Sequence, residues 1–299
     1  MSVMNHASPA GTSGCVLILG PDRSGTSLTA NIINELGIPV KNDLPADLYN
    51  EKGYWEEEEL QFINSKLIEY LGTISRGNPP RIPKGWQFSK DLAYLRASAE
   101  SVVTRKMKGE KRWGWKDPRL CITLPFWRPI LGERVDYLIC VRNPLAKAMS
   151  EIKRDSRMSF QSAIRLWLIY TGQALINTRN EQRRLLVYYE DYFDSNSQQI
   201  RKIAQFLSLD DANVNPAASI VNADLKHHES SIDDLMGSME VPYGVKLLYL
   251  WLLEGKRNQI KIEEATDILS SDESILQPVW QVPWYGRPFY YAKSKIRGI

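Results

Sequence analysis

The chain has 299 residues, 43% hydrophobic and 24% charged, with a net charge of +3; these are ordinary values for a globular protein with a sizeable core, in one large domain or two small ones. So small a net charge argues against a nucleic-acid binder and requires any basic site to be local. Three cysteines (Cys15, Cys121 and Cys140), each in an apolar run and with no CxxC pair, and only three histidines argue against a metal site and for buried free thiols in a reducing compartment.

Met1 to Gly14 is polar and small with no apolar centre, so it reads as a disordered lead-in, not a signal peptide. Cys15 to Leu19 has the length and branching of a buried strand. It stops at Gly20, a tight loop Pro21-Asp22-Arg23-Ser24-Gly25 follows, and Thr26 to Leu36 carries helical spacing ended by Gly37 and Pro39. A strand, a glycine-bounded loop and a helix start make an anion site, because the first-turn N–H groups lack partners within the helix and the macrodipole adds positive charge. Arg23, Ser24, Thr26 and Ser27 add a cation and three hydroxyls suited to phosphate.

A polar connection from Lys41 to Gly53 leads to an amphipathic helix from Glu56 to Leu71, with Leu60, Ile63, Leu67, Ile68 and Leu71 on one face. Gly72 to Gly85 is turn-rich. Leu92 to Val103 marks a further helix that ends before Gly109. Trp113 to Leu124 reads as a strand entering a loop at Asp117-Pro118. Val135 to Val141 is a buried strand broken at Arg142-Asn143-Pro144, with a helix from Pro144 to about Arg154. Phe160 to about Thr178 is helical, Leu185 to Tyr189 is a strand, and Asp194 to Leu207 is a helix. Beyond Asp210 the pattern weakens: Tyr243 to Gly255 and Ile262 to Ser270 carry helical spacing, and an aromatic, proline-rich tail follows from Pro278. The longest apolar stretch, Val245 to Leu253, is too short to span a bilayer, so no membrane span and a cytoplasmic location are expected.

Apolar strands alternating with amphipathic helices predict an α/β fold, P-loop-like and three-layered, with a mainly parallel central sheet and helices on both faces. One domain over 15–299 is expected, its motif-bearing core at 15–209 and a helical and aromatic segment at 210–299. Phosphate ligands of such sheets sit beyond the carboxyl ends of the strands, where the loops after Leu19, Val141 and Tyr189 should converge. Gly20 to Ser27 differs from the nucleoside-triphosphate loop: Thr26 stands where its lysine belongs, the cation is Arg23, and no Asp closes an apolar strand. A kinase, a non-catalytic nucleotide-binding module and a glycine turn that binds nothing remain as alternatives.

Arg23-Ser24-Gly25-Thr26-Ser27 resembles the 5'-phosphosulfate loop of sulfotransferases that use 3'-phosphoadenosine 5'-phosphosulfate (PAPS). Arg142, closing a strand, and Ser150, eight residues on, resemble that family's 3'-phosphate motif; two turns of helix rise roughly 12 Å, a spacing that a doubled-back turn can close. Leu185 to Leu209 is similar to its strand–Tyr-Glu-Asp–helix segment, which would set Tyr189 near adenine. The matches run from Cys15 to about Leu209. One departure is Leu28, where many cytosolic members have a tryptophan that stacks on adenine.

The resemblance implies PAPS as co-substrate, bound by Arg23, Ser24, Gly25, Thr26, Ser27, Arg142, Ser150 and Tyr189, with no metal required. It implies sulfuryl transfer to a hydroxyl of a carbohydrate, cell-envelope or small-molecule acceptor. Such transfer needs a cation at the leaving oxygen and a base for the acceptor proton. Arg23 would be one cation. Lys116 in Lys-Asp-Pro, similar to Golgi-type and bacterial members, would be another. The histidine base of cytosolic members is replaced by Pro118, which leaves a carboxylate: Glu56 first, in a segment like the bacterial Asn-x-x-Gly-Tyr-Trp-Glu (Asn50 to Glu56), then Glu59 and Asp117. Arg119 would pair with Asp117 or with the acceptor. His227 and His228 read as surface residues. Trp280, Trp284, Tyr285, Phe289, Tyr290 and Tyr291 of the tail would serve core packing, a homodimer contact or stacking on sugars.

Overall fold

The computed structural model describes residues 14–44, 53–72, 82–109, 112–221, 230–256 and 259–271. Strand β1 (Gly14–Leu19) leads into α1 (Thr26–Glu35); α2 (Glu58–Tyr70), α3 (Ala93–Gly109), β2 (Arg112–Lys116) and α4 (Leu120–Leu131) follow. Then come β3 (Val135–Val141), α5 (Pro144–Arg154), α6 (Phe160–Asn177) and β4 (Arg184–Tyr188). The described chain continues through α7 (Asp191–Asp194), α8 (Asn196–Phe206), α9 (Val214–Ser219), α10 (Ile232–Gly237), α11 (Tyr243–Glu254) and α12 (Gln259–Ser271).

The four strands form a wholly parallel sheet in the order β2-β1-β3-β4, in line with the expected α/β architecture. Side chains of β1 alternate between its faces, as a strand requires. Cys15, Leu17 and Leu19 join a large core with residues of α2, α3, α4, α6, α11 and α12, whereas Val16 and Ile18 join a smaller one with α1, α8 and α9. The sheet is therefore apolar on both faces, and its polar edge is where the strands end.

Several elements differ from the expectation. β2 ends at Lys116, ahead of the expected loop at Asp117-Pro118, but the residues after that loop form a helix that the pattern does not mark: α4 begins at Leu120, although Pro125 and Pro129 lie inside it. Proline removes a helical donor. The carbonyl that Pro125 leaves unbonded, that of Cys121, accepts from Asn177 Nδ2 at 2.8 Å, so α6 satisfies the broken turn of α4. Helix α2 starts at Glu58, so Glu56 lies in the segment ahead of it and does not open it. The helix expected from Asp194 to Leu207 is present as α8, and a short turn of helix not marked by the pattern, α7, precedes it up to Asp194.

Gly114 of β2 is where α1, Val40 and the sheet approach most closely. A Cβ there would lie 2.7 Å from Val40 Cγ2 and 2.9 Å from Ile33 Cδ1. Gly114→Ala should therefore destabilise the protein by about 1–3 kcal/mol through overpacking, read as a lowered urea midpoint; an unchanged midpoint would mean that this contact has room to relax.

Candidate functional site

The loop after β1 is shaped by its own bonds. Gly20 has φ 144°, and a Cβ on it would lie 2.8 Å from the Cys140 carbonyl oxygen and 2.9 Å from Ser24 Oγ. Ser24 Oγ donates to the Pro21 carbonyl at 2.6 Å, so this hydroxyl closes the loop onto itself. The Gly20 N–H donates to Cys121 Sγ at 3.1 Å, and burial keeps that thiol protonated. Arg23 takes a left-handed φ of 63°, a conformation that costs a non-glycine residue energy and that the closed loop maintains. Gly25, at φ 89°, caps α1 with no side chain, and the buried Thr26 follows as the first helical residue. Ser27 Oγ turns to the Tyr54 carbonyl at 3.4 Å.

Three segments far apart in sequence meet at this loop. Arg23 Nε donates to Ser150 Oγ at 3.0 Å, and Arg142 Nη1 donates to the Arg23 carbonyl at 2.8 Å. The Arg142 guanidinium lies 4.1 Å from the Tyr189 ring centre, while a Cβ on Gly25 would lie 2.6 Å from Tyr189 Cδ2. Arg23, Ser150, Arg142, Tyr189 and Gly25 thus form one cluster, with Arg142 and Ser150 joined through Arg23. Asn143 caps α5 ahead of Pro144, Glu190 Oε1 accepts the Asn143 N–H at 2.8 Å, and Trp167 Nε1 donates to the Arg142 carbonyl at 2.8 Å, so Arg142 is held from three sides.

The electrostatics favour an anion. Burial lowers the pKa of both guanidinium groups; Arg154 adds to this at Arg23, and Arg23 adds to it at Arg142. Desolvation works to raise Asp22, but Arg154, Lys116, Lys147 and Arg119 outweigh it and hold the carboxyl down at about 2. Burial and their mutual repulsion disfavour the charges of Arg23 and Arg142, and a bound anion would relieve both.

On the other side of β1, Lys116 ends β2, buried at 2% exposure. Its Nζ donates to Glu56 Oε1 at 2.7 Å and to the Tyr54 carbonyl at 3.1 Å. Burial raises the Glu56 pKa above the usual carboxylate range, against the pull of Lys116 and Arg119. Arg119 pairs with both acids: Nη2 with Glu56 Oε2 at 2.8 Å and Nε with Asp117 Oδ1 at 2.8 Å. The two other carboxylates named from sequence fit a base poorly. Glu59 lies on the outer side of α2, 56% exposed and paired with Arg105. Asp117 is wholly buried, its oxygens taken by Arg119 and by Asn64 Nδ2 at 2.8 Å.

Asn64, the Tyr54 carbonyl and Trp167 take part in this site without a sequence signal that separates them from ordinary helix, loop and core residues. Asn50 to Lys52, His227, His228 and the aromatic tail lie outside the described residues. Among the described residues no group of three or more His, Cys, Asp or Glu gathers as metal ligands would, and no helix is long and apolar enough to cross a membrane.

No family model matches the chain, and no curated protein does. The similar solved structures bear sulfotransferase and retinol dehydratase names. The sulfotransferase domain of the Synechococcus PCC 7002 olefin synthase is 18% identical, at TM-score 0.45, over 88% of this chain and 98% of that one. The sulfotransferase domain of the curacin biosynthetic pathway is 13% identical, at TM-score 0.41, over 91% and 94%. Retinol dehydratase in complex with androsterone and inactive cofactor PAP is 14% identical, at TM-score 0.39, over 86% and 80%. At such identities and scores, the functional reading rests on the residues of the site.

Gly25→Ala would meet both the left-handed φ and the Tyr189 ring. It should lower the melting temperature and weaken pyrophosphate binding about tenfold or more by calorimetry. Unchanged affinity would separate the loop from the anion site.

Proposed function

We propose that this protein is a cytoplasmic PAPS-dependent sulfotransferase that acts on a hydroxyl of a carbohydrate or small-molecule acceptor. The observation that carries the reading is the cluster of Arg23, Ser150, Arg142 and Tyr189, because its members come from the three segments that separately resemble the sulfotransferase motifs. The two strands that flank β1 end in Lys116 and lead to Arg142, so the loop has a cation on each side. That arrangement suits a nucleotide with a 3'-phosphate on the Arg142 side and a 5'-phosphosulfate at the loop. A kinase would need a lysine in the loop, where Thr26 stands, and a metal-binding acid past a strand end; Asp117, just past β2, is taken by Arg119 and Asn64. Three free, buried thiols suit a reducing compartment.

In the proposed reaction the acceptor oxygen bonds to sulfur as the bond from sulfur to the bridging 5'-phosphate oxygen breaks, and the nucleotide leaves as the 3',5'-bisphosphate. Glu56 takes the acceptor proton. Its raised pKa makes it a stronger base than an exposed carboxylate, and Lys116 and Arg119 favour its ionised form. Lys116, beside Glu56, and Arg23, in the loop, oppose the charge that grows on the sulfuryl and leaving oxygens. Ser150, held to Arg23, and Arg142, stacked on Tyr189, bind the 3'-phosphate.

Calorimetry with 3'-phosphoadenosine 5'-phosphate, ATP and GDP tests the donor: about micromolar or tighter binding of the first alone, without magnesium, is expected. Magnesium-dependent ATP binding with no such preference would overturn the reading. Arg142→Ala should weaken that nucleotide yet leave adenosine 5'-phosphosulfate unaffected; equal losses would remove Arg142 from the 3'-phosphate. Glu56→Gln should keep nucleotide affinity and abolish transfer of labelled sulfate in a screen of glycan and small hydroxyl acceptors. In the unmodified protein, transfer should fall as the pH drops through the Glu56 pKa, since a protonated carboxyl accepts no proton.

A further inference from the structure

The proposed reaction asks of Glu56 only that it be basic and near Lys116, yet the structure binds this carboxylate into a longer connected set. Lys116 Nζ takes Oε1 and Arg119 Nη2 takes Oε2. Arg119 is fixed in turn by Asp117, whose Oδ1 accepts both the Arg119 Nε–H at 2.8 Å and the Arg119 backbone N–H at 2.9 Å. Asp117 Oδ2 accepts from Asn64 Nδ2 at 2.8 Å. Asn64 is wholly buried on α2, and its Oδ1 accepts from Thr123 Oγ at 2.7 Å and from Trp127 Nε1 at 2.8 Å, both on α4.

The direction of this set follows from what each group is able to do. An indole N–H only donates, so the atom of Asn64 that faces Trp127 is the amide oxygen, and its NH₂ must face Asp117. With a donor on Oδ2, Asp117 presents Oδ1 to the guanidinium fork and holds it at Nε. With Nε and the backbone fixed, Nη2 has one orientation left, toward Glu56 Oε2. Oε1 is then the oxygen on the Lys116 side.

We propose that Arg119 and Asn64 are positioning residues for the Glu56 carboxylate, Arg119 by holding Oε2 and Asn64 by orienting Arg119 through Asp117. This deepens the sulfotransferase reading and rests on it for the catalytic consequence; the coupling of Asn64 and Arg119 to Glu56 is independent of any ligand. The charged and titratable groups around Glu56 are Lys116, Asp117 and Arg119 from the end of β2 onward, with Asp22 from the loop and Tyr170 from α6 acting on Arg119. Glu57 and Glu59 are turned to Lys106 and Arg105.

The test follows the Glu56 carboxyl by carbon NMR in the full chain labelled at glutamate, with Glu56→Gln for assignment. Arg119→Gln removes a neighbouring cation, so the Glu56 midpoint should rise by about one pH unit, and Arg119→Lys, which keeps the charge without the fork, should return part of the shift. Arg119 is part-exposed, so these variants should fold. Asn64→Asp keeps the shape and the acceptor for Thr123 and Trp127 but turns a carboxylate toward Asp117; the Glu56 midpoint should rise by about half a unit or more. Thr123→Val removes a bond to Asn64 while Trp127 keeps the amide oriented, so it should lower the melting temperature and leave the midpoint in place. The proposal is overturned if the midpoint stays within about 0.3 unit of the unmodified protein in both Arg119→Gln and Asn64→Asp. It is overturned for Asn64 alone if Thr123→Val moves the midpoint as far as Asn64→Asp, the result of a purely structural role. Calorimetry with 3'-phosphoadenosine 5'-phosphate on the same samples separates the two levels: nucleotide binding with no coupling sinks this inference alone, and coupling with no nucleotide binding sinks the sulfotransferase reading.

Discussion

Parallel pairing of β1 with β2 on one side and β3 on the other brings Lys116, the loop of Gly20 to Gly25, and Arg142 to one edge of the sheet. In a parallel sheet all carboxyl ends point the same way, so residues far apart in sequence need no further device to become neighbours. The same edge receives the N-termini of α1 and α5, which add positive partial charge. With both faces of the sheet occupied by apolar cores, the edge is where polar chemistry collects.

Such a concentration of cations needs internal restraint in the absence of a ligand. Two buried carboxylates provide it in the same manner. Glu56 lies between Lys116 and Arg119, and Glu151 lies between Lys147 at 2.7 Å and Arg154 at 2.5 Å, with Arg154 reaching on to Asp22 at 3.4 Å. Desolvation offsets much of the attraction in buried pairs of this kind, so their main effect is to fix where each charged group points. The left-handed conformations of Arg23 and Trp55 lie next to these same segments, consistent with backbone strain held in place by the surrounding bonds.

On the proposed reading, nucleotide binding and sulfuryl transfer fall on different sides of the loop along the sheet. The Arg142, Ser150 and Tyr189 side is fixed by α5, α6 and the end of β4, whereas the Lys116 and Glu56 side is fixed by α2 and α4. The loop lies between them and is shared by both.

The strands, most of the helices and the loop after β1 were legible in the sequence because they are local: apolar runs of strand length, glycines at positive φ and an Asn-Pro helix start carry their signals within a few residues. Val135–Val141 and Pro144–Arg154 have the bounds that pattern predicts. Helix α4 was not legible, because the bond that tolerates Pro125 comes from Asn177, more than fifty residues on. In the site, Arg23, Arg142, Ser150 and Lys116 stand out by residue type at strand ends and by motif. What only the tertiary structure decided is which carboxylate faces Lys116. Glu56 and Glu59 share one acidic run, and the start of α2 at Glu58 turns Glu59 outward toward Arg105 while the extended segment before it carries Glu56 inward. Asn64 is one polar residue in an amphipathic helix until Trp127 folds against it and fixes the direction of its amide. Sequence spacing encodes local backbone geometry; the partner of a buried charge depends on which distant side chain arrives at the same point.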